Sequence, residues 1–335
     1  MQSGVTAPLR SLYRAACAVL ALLLPLQLHA AWLSESRELM GTQVSVELWS
    51  EDEATGNTAT GEVLAEIERL DLMMNPWNPA SELARINREA ANKPVTTSGE
   101  IIEVIQRALH YSRLSDGAFD ISFASAGQHY DYKTGIAPDA ELLEKDKNNI
   151  DYKAIDLNEA ARSIRFTRPG LQIDLGGIAK GYAVDRGIEI LRKYNIASAV
   201  ITAGGDSRIL GDLGDRPRTV GIRHPRKKGE FIVLIPLADT AISTSGDYER
   251  FFLKDGMRYH HILDPETGRS AGGVQSASVM TELAIDSDAL STTVFVLGVE
   301  RGLALVNGLP GVDAIIIDGD GKLHYSAELL LNTTP

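Results

Sequence analysis

The run Gln172-Ile-Asp-Leu-Gly-Gly-Ile-Ala-Lys-Gly-Tyr182 constrains this chain more than any other stretch. It reads as an apolar strand ending at Asp174, a turn on two glycines, and a helix with Lys180 in its second turn. Glycines let a backbone come close to a ligand. The first N–H groups of a helix are unpaired and attract anions such as phosphate. Asp174 and Lys180 bracket the turn with opposite charges. The spacing is neither G-x-x-x-x-G-K-[ST] nor G-x-G-x-x-G. Alone, the run allows two readings: an anion-binding turn, or a plain strand–turn–helix.

A chain of 335 residues can build one large or two ordinary domains. At 44% hydrophobic and 23% charged residues it is globular rather than disordered. Its net charge is −12, which argues against a general nucleic-acid binder, since those carry a basic face. No nucleic-acid partner is expected. A phosphate-bearing ligand remains compatible, because a few local cations or a metal can hold it.

Residues 1–30 read as an export signal. Arg10 and Arg14 form the positive region, residues 15–28 the apolar core, and Leu28-His-Ala-Ala31 the cleavage region. The apolar run is short for a transmembrane helix; an uncleaved anchor is the competing reading. The only cysteine, Cys17, precedes most of the apolar core and is badly placed for lipid attachment. A mature chain from about residue 31 would have no cysteine, hence no disulfide, thiolate metal site or cysteine nucleophile.

The rest shows no internal repeat, no low-complexity linker and no break into two domains, so residues 31–335 are expected to form one unit. Residues 43–49 alternate as a strand. Val63, Leu64, Ile67, Leu70 and Met74 mark one face of a helix. Residues 75–80 carry two prolines and form a loop, and Ser81 caps a short helix to residue 91. Ile101, Ile102, Ile105 and Leu109 define another helix, stopped by Asp116-Gly117. The polar stretch 131–153 reads as loop. After the Lys180 helix, strands are expected at 197–203, 219–223, 231–236, 241–245, 259–263 and 275–281. A helix follows over 287–297, then a hairpin of 312–317 and 323–326. Consecutive strands with fewer helices predict an α+β fold in mixed layers of mostly antiparallel sheet and helices.

Several constellations could carry chemistry. Asp288 and Thr292 are four apart on the expected helix and share a face. They could hold a hard cation such as Mg2+, or be a cap and a surface acid. In His260-His261 one imidazole faces opposite to the other on a strand. His261, three before the Asp264-Pro265 turn, could be a general base near pH 7 or a hydrogen-bonded core histidine. Residues 241–248 place three hydroxyls before Gly246-Asp247, as a polar pocket or a turn. Trp77 in its proline loop is a packing anchor or a platform for a flat ring. Asp120 ends a Gly117-Ala-Phe-Asp turn and could accept bonds from a heterocycle. Gly204-Gly205-Asp206 could again admit close backbone approach.

Taken in order, these segments resemble the ApbE family, the FAD:protein FMN transferases. The matching pieces are Met40-Gly-Thr42, Ser81-Glu-Leu-x-Arg-x-Asn87, Gly117-x-Phe-Asp120, Asp174-Leu-Gly-Gly-Ile-Ala-Lys-Gly181, Gly204-Gly-Asp206, Thr244-Ser-Gly-Asp247, His261-Ile-Leu-Asp-Pro265 and Asp288-Ala-Leu-Ser-Thr292. The resemblance implies an ApbE-like, T-fold-related architecture with a flavin site in a cleft between lobes. It implies FAD as substrate and Mg2+ as cofactor. FMN passes to a threonine or serine hydroxyl of a target flavoprotein through a phosphoester bond, and AMP leaves. By position, Met40, Trp77, Ala118, Phe119, Asp120, Asp174, Lys180 and Ile262 would contact FAD. Asp288, Thr292 and the carbonyl of Gly177 would hold the metal, and His261 would be the base. The implied acceptors are exported-side subunits of membrane redox complexes, of the sodium-pumping NADH:quinone reductase or Rnf type.

Two features depart from the family pattern. Ile121-Ser122 and Gln128-His-Tyr-Asp131 replace the usual proline–threonine and leucine–tryptophan stretches. The lipid-attachment cysteine is absent, so a free, soluble, exported (periplasmic) protein is expected. A Mg2+-dependent FAD pyrophosphatase and a non-catalytic exported FAD-binding protein are the competing readings.

Overall fold

A computed structural model describes residues 30–214 and 216–332. The expected export segment and Cys17 lie outside the described residues, apart from Ala30. Strands β1 (Ala31–Leu39) and β2 (Thr42–Ser50) form a hairpin. Its two-residue turn, Met40-Gly41, has φ of 53° and 69°, the left-handed pair that matches strand twist. Val44, Val46 and Leu48 alternate inward, as the sequence pattern predicts. Helix α1 (Glu53–Met74) starts at Asp52, whose carboxylate accepts the Thr55 N–H at 2.9 Å. Ser81 likewise caps α2 (Glu82–Glu89) by accepting from Ala84 at 2.9 Å. After β3 (Val95–Thr96), α3 (Gly99–Leu114) ends just before Asp116-Gly117, both at positive φ.

The middle of the chain holds more structure than its polarity indicates. A short α4 (Ala124–Gly127) precedes α5 (Ala140–Asp146), and 3-10 turns span 147–149 and 152–154. Asp139 caps α5 by accepting the Leu142 N–H at 2.8 Å, and Leu143 anchors it in the interior. One buried leucine in a charged stretch is too weak a periodic signal to mark a helix. Strands β4 (Ile155–Asn158) and β5 (Ser163–Phe166) join β3 in a three-stranded sheet.

The segment leading into Asp174 is not a strand; among the described residues none pairs with it in a sheet. Two side chains and one backbone carbonyl from elsewhere in the chain satisfy its backbone instead. Asn87 accepts the Ile173 N–H through Oδ1 and donates Nδ2–H to the Ile173 carbonyl, both at 2.9 Å. The Gln172 N–H goes to Ser125 Oγ at 3.0 Å, and the Asp174 N–H to the Ile121 carbonyl at 2.9 Å. Helix α6 (Ala179–Lys193) begins later than its turn implies, so Lys180 sits in the first helical turn and not the second.

Strands β6 (Ser198–Ala203), β7 (Asp206–Leu210), β8 (Arg218–Arg223), β9 (Phe231–Leu237) and β10 (Ala241–Gly246) follow. Next come β11 (Phe251–Lys254), β12 (Met257–His260) and β13 (Val274–Thr281). β12 ends at His260, the His261 N–H still bonds the Arg250 carbonyl at 3.2 Å, and the chain leaves the ladder only after that. Helix α7 (Ala284–Asn307) is longer than expected and breaks at Gly298, where φ is 78° and ψ −175°. The chain closes with β14 (Asp313–Asp318), β15 (Leu323–Tyr325) and α8 (Ala327–Asn332).

Eight strands form one antiparallel sheet in the order β1-β2-β6-β7-β10-β13-β14-β15. Helices α1, α6 and α7 pack on one face. The β8–β9 ribbon and its Ile222 and Ile235 cover Ile209, Ile242, Met280 and Ile315 on the other. Covered on both faces, β13 is buried at every position. The architecture is thus α+β with mostly antiparallel strands.

One packing detail places the site. Gly181 lies against the start of α7; a Cβ there would come 2.1 Å from the Ala284 carbonyl oxygen. Asp185, one turn on, accepts the N–H groups of Ala284 and Ile285, each at 2.9 Å, and pairs with Arg208 at 2.6 Å. Buried Asp185 therefore caps α7 from α6. The two helix N-termini are held at the sheet end where the 40–41 and 204–205 turns and the end of β10 meet.

Candidate functional site

That sheet end opens into a cleft of about 860 Å³. Its walls include Met40, Trp77, Ala118, Phe119, Asp120, Asp174, Gly177, Lys180, His261, Ile262, Asp288 and Thr292. All twelve residues that the family resemblance implicates thus line one cavity, although they span 253 positions of chain from Met40 to Thr292.

Each is positioned by local structure. Met40 N–H donates to Asp71 Oδ2 at 2.8 Å, fixing the hairpin turn over α1. The Gly41 carbonyl accepts from Arg250 Nη2 at 3.1 Å, tying that turn to the far wall. Trp77 stands 73% exposed on the cleft wall, its backbone N–H donating to Asn75 Oδ1. An indole so placed has a free face for a flat ring. Phe119 is buried beneath Gly177. Asp120 is nearly enclosed, and its oxygens already accept from the Ser122 N–H, the Ser122 hydroxyl and the Tyr152 N–H. A carboxylate has about four acceptor sites, so about one remains for a ligand. Burial raises the Asp120 pKa despite those bonds.

The charged cluster lies at the helix N-termini. Lys180 Nζ is 3.0 Å from Asp206 and 3.3 Å from Asp288. It also donates to the Gly176 carbonyl at 2.9 Å. Burial works against the ammonium, but the two carboxylates outweigh it and hold Lys180 above its ordinary pKa. Burial first, then the charge of Asp206, pushes the Asp288 carboxyl up, although Lys180 and the Gly181 N–H oppose this. Such a carboxylate is short of positive charge. Thr292 Oγ1 is bonded to Ser245 Oγ at 3.1 Å. A Cβ on Gly177 would lie 3.5 Å from Thr292 Oγ1, so the glycine backbone and the hydroxyl share one small space. A carboxylate, a hydroxyl and a backbone carbonyl are the hard oxygen donors that suit Mg2+. Among the described residues no cluster of three or more His, Cys, Asp or Glu side chains could hold a metal. A cation here would therefore also need oxygens from its ligand.

The two histidines separate. His260 is buried, with Nε2 2.8 Å from the Ala271 carbonyl and its ring edge-on to Phe295; it is the core histidine. His261 faces the cleft. Burial first, then the positive charge of Arg250, with His260 and Lys180 beyond, pushes its pKa down to about 3. His261 is therefore an uncharged imidazole at neutral pH, and a weak base until the negative charge of a bound ligand offsets the burial and the charge of Arg250. Its NMR ring resonances should hold still from about pH 7.5 to about pH 5.5, across the ordinary histidine pKa. A midpoint near 6.5 would contradict this environment.

Sequence reasoning passed over several residues that shape the site. Asp206 and Asn87 stand inside quoted motifs without a role there. Asp206 is the nearer partner of Lys180, and Asn87 braces the Asp174 turn. Asn87→Ala would leave two backbone groups of Ile173 unpaired and should cost about 3 kcal/mol of stability. Denaturant unfolding without ligand checks this, and an unchanged midpoint would contradict it. Arg250 and Asp71 meet partners 209 and 31 residues away, so no local pattern marks them. The hydroxyls of 241–248 divide: Ser243 and Thr244 bond Ser287 and Ser278, whereas Ser245 reaches Thr292.

The end of the sheet thus brings buried carboxylates, one lysine and an uncharged histidine to one cleft. The ApbE family model matches residues 40–316, and the chain belongs to the ApbE family. The FAD:protein FMN transferase of Treponema pallidum (strain Nichols) is 32% identical over 316 residues, covering 89% of this chain and 87% of that one. The protein of that name from Klebsiella pneumoniae (strain 342) is 30% identical over 306 residues, 90% and 94% of the two chains. Among solved structures, an ApbE protein from Thermotoga maritima has a TM-score of 0.83 at 32% identity, covering 91% of this chain and all of that one. The flavin transferase ApbE from Vibrio cholerae has a TM-score of 0.80 at 26% identity, covering 90% and 99%. The chain is accordingly an enzyme, of the transferase class.

Proposed function

We propose that this chain is an FAD:protein FMN transferase that uses Mg2+ and a threonine or serine acceptor and releases AMP. The observation that carries the reading is the pairing, across one cleft, of uncharged His261 with the Lys180–Asp206–Asp288 cluster. The first can take a proton from a hydroxyl, and the second adjoins the space where a pyrophosphate would lie.

In this reading Trp77, Met40, Ala118, Phe119 and Ile262 hold the flavin end of FAD. Asp120 and Asp174 accept hydrogen bonds from it. Asp288, Thr292 and the Gly177 carbonyl hold Mg2+, which when bound neutralises pyrophosphate charge and assists the leaving AMP. Lys180 adds positive charge at the same place. His261 accepts the proton as the acceptor oxygen attacks the FMN-side phosphorus. The new bond is oxygen to phosphorus, and the broken bond is the bridging P–O to AMP. Such transfer depends on positioning and charge stabilisation more than on covalent help.

Chain layout and location complete the proposal: a signal at residues 1–30, then one catalytic unit, free and soluble on the exported side. The family likeness makes subunits of sodium-pumping NADH:quinone reductase or Rnf-type complexes the acceptor class. The test is product accounting with FAD, Mg2+ and an unflavinylated acceptor domain. AMP matched one for one by protein-bound flavin is expected. AMP matched by free FMN would replace transfer with FAD hydrolysis, and binding without turnover would leave a flavin-binding protein.

His261→Ala should keep FAD affinity within about twofold yet lower transfer by roughly a hundredfold or more. Flavin-fluorescence titration and acceptor labelling separate the two effects. Loss of binding would assign the imidazole a structural role.

A further inference from the structure

At the rim beside His261 one surface feature runs out of the cleft: its inner rings, Tyr130 and Tyr132, line the cleft, and Phe252, Tyr259, Ile136 and Met257 lie beyond it. The β11–β12 ribbon pairs Phe252 with Tyr259 and Lys254 with Met257. Directly opposed residues share a face, and alternate residues along a strand return to it. The His261 N–H bonds the Arg250 carbonyl, so the ladder runs one pair further. Met257, Tyr259 and His261 therefore line one face, beside Phe252. The rings agree: Phe252 stacks on Tyr259 at 5.0 Å, and Tyr132 contacts both Phe252 at 6.2 Å and His261 at 6.5 Å. Tyr130 stacks on Tyr132 at 5.7 Å. The 131–136 loop, closed by reciprocal Asp131–Ile136 backbone bonds, lies against Phe252 at Gly135. Ile136 and Met257 crown this aromatic strip at 54% and 55% exposure. Neither lines the cleft.

We infer that this strip is the docking surface for the acceptor protein, and that its occupant is an extended acceptor segment with an apolar side chain near the modified hydroxyl. The inference rests on the transferase reading, since only then must a foreign hydroxyl reach His261. Continuity carries it. A hydroxyl at His261 comes from a chain passing the rim that His261 shares with Tyr132, Tyr259 and Met257. From Met257 to His261 is four residues of strand, about 13 Å, which an acceptor segment of similar length spans. Exposed aliphatics over a rigid aromatic floor are what protein segments bury on binding. The opposite face of the ribbon offers a control: Leu253, 66% exposed, points away from His261.

The test compares the double variant Ile136→Asp/Met257→Asp, the single variant Leu253→Asp and the wild type. Readouts are labelling kinetics against acceptor concentration, FAD affinity and oligomeric state by sedimentation. The double variant should raise KM for the acceptor by about tenfold or more, with FAD affinity unchanged. Leu253→Asp should match the wild type in both. Labelling by all three proteins with equal KM, or an equal rise in Leu253→Asp, would overturn the docking inference and leave the transferase reading standing. Absence of labelling by the wild type would overturn the reading and the inference with it. A wild-type dimer that the double variant dissociates would give the strip to a second copy instead, and would also overturn it.

Discussion

Asp288→Asn should cut acceptor labelling by about a thousandfold or more while leaving the protein folded. That is about 4 kcal/mol of transition-state stabilisation, in the range of removing charge stabilisation at the reacting centre. Asparagine keeps the volume and can still accept the Gly181 N–H that Asp288 accepts at 3.0 Å. What it removes is the only carboxylate among the proposed metal donors, which a hydroxyl and a carbonyl do not replace. Lys180 keeps Asp206 at 3.0 Å and so retains its charge. Initial rates at saturating FAD against rising MgCl2, with thermal unfolding as the fold control, decide the matter. Full activity at ordinary Mg2+ would take Asp288 out of the metal site.

Asp185→Ala should be the most destabilising change near the site that touches no ligand, at about 3–5 kcal/mol. Asp185 is buried, and its carboxylate accepts from Ala284 and Ile285 and pairs with Arg208, itself buried. Alanine would strand the guanidinium without a counter-charge and remove the cap from α7. That helix carries Asp288 and Thr292, so a loosened start also weakens the cleft. Urea unfolding measures the loss, and Asp185→Asn should recover part of it by keeping an acceptor. A loss below about 1 kcal/mol would show that neighbouring groups replace the cap.

Much of this was legible in the chain. Alternation at Val44, Val46 and Leu48 and the 3.6-residue pattern of α1 come from burial on one face, and their spacing records it directly. The Asp-Gly stop after α3 and the 319–321 turn are set by backbone geometry that few residues tolerate. Strands such as β1, with one polar face and few buried positions, leave no such record. The apolar run before Asp174 misled because burial without a strand partner has the same composition as a strand. Asn87 supplies that partner from 86 residues away. The residues that line the cleft were picked out through a family resemblance built on motifs that each said little alone. The resemblance alone singled out His261 over His260, since alternation along a strand says only that the two face opposite ways; the fold puts His260 in the core and His261 on the cleft. Arg250 and Asp71 stayed hidden because their work is done across the fold.

In-gel flavin fluorescence tests the central claim most directly. The protein, FAD and Mg2+ are incubated with an unflavinylated acceptor domain, then denatured and separated. A fluorescent acceptor band that is lost on adding EDTA, and lost in Asp288→Asn, is the predicted result. No acceptor band with any acceptor tried, while FAD is still bound or is split into AMP and free FMN, would contradict it.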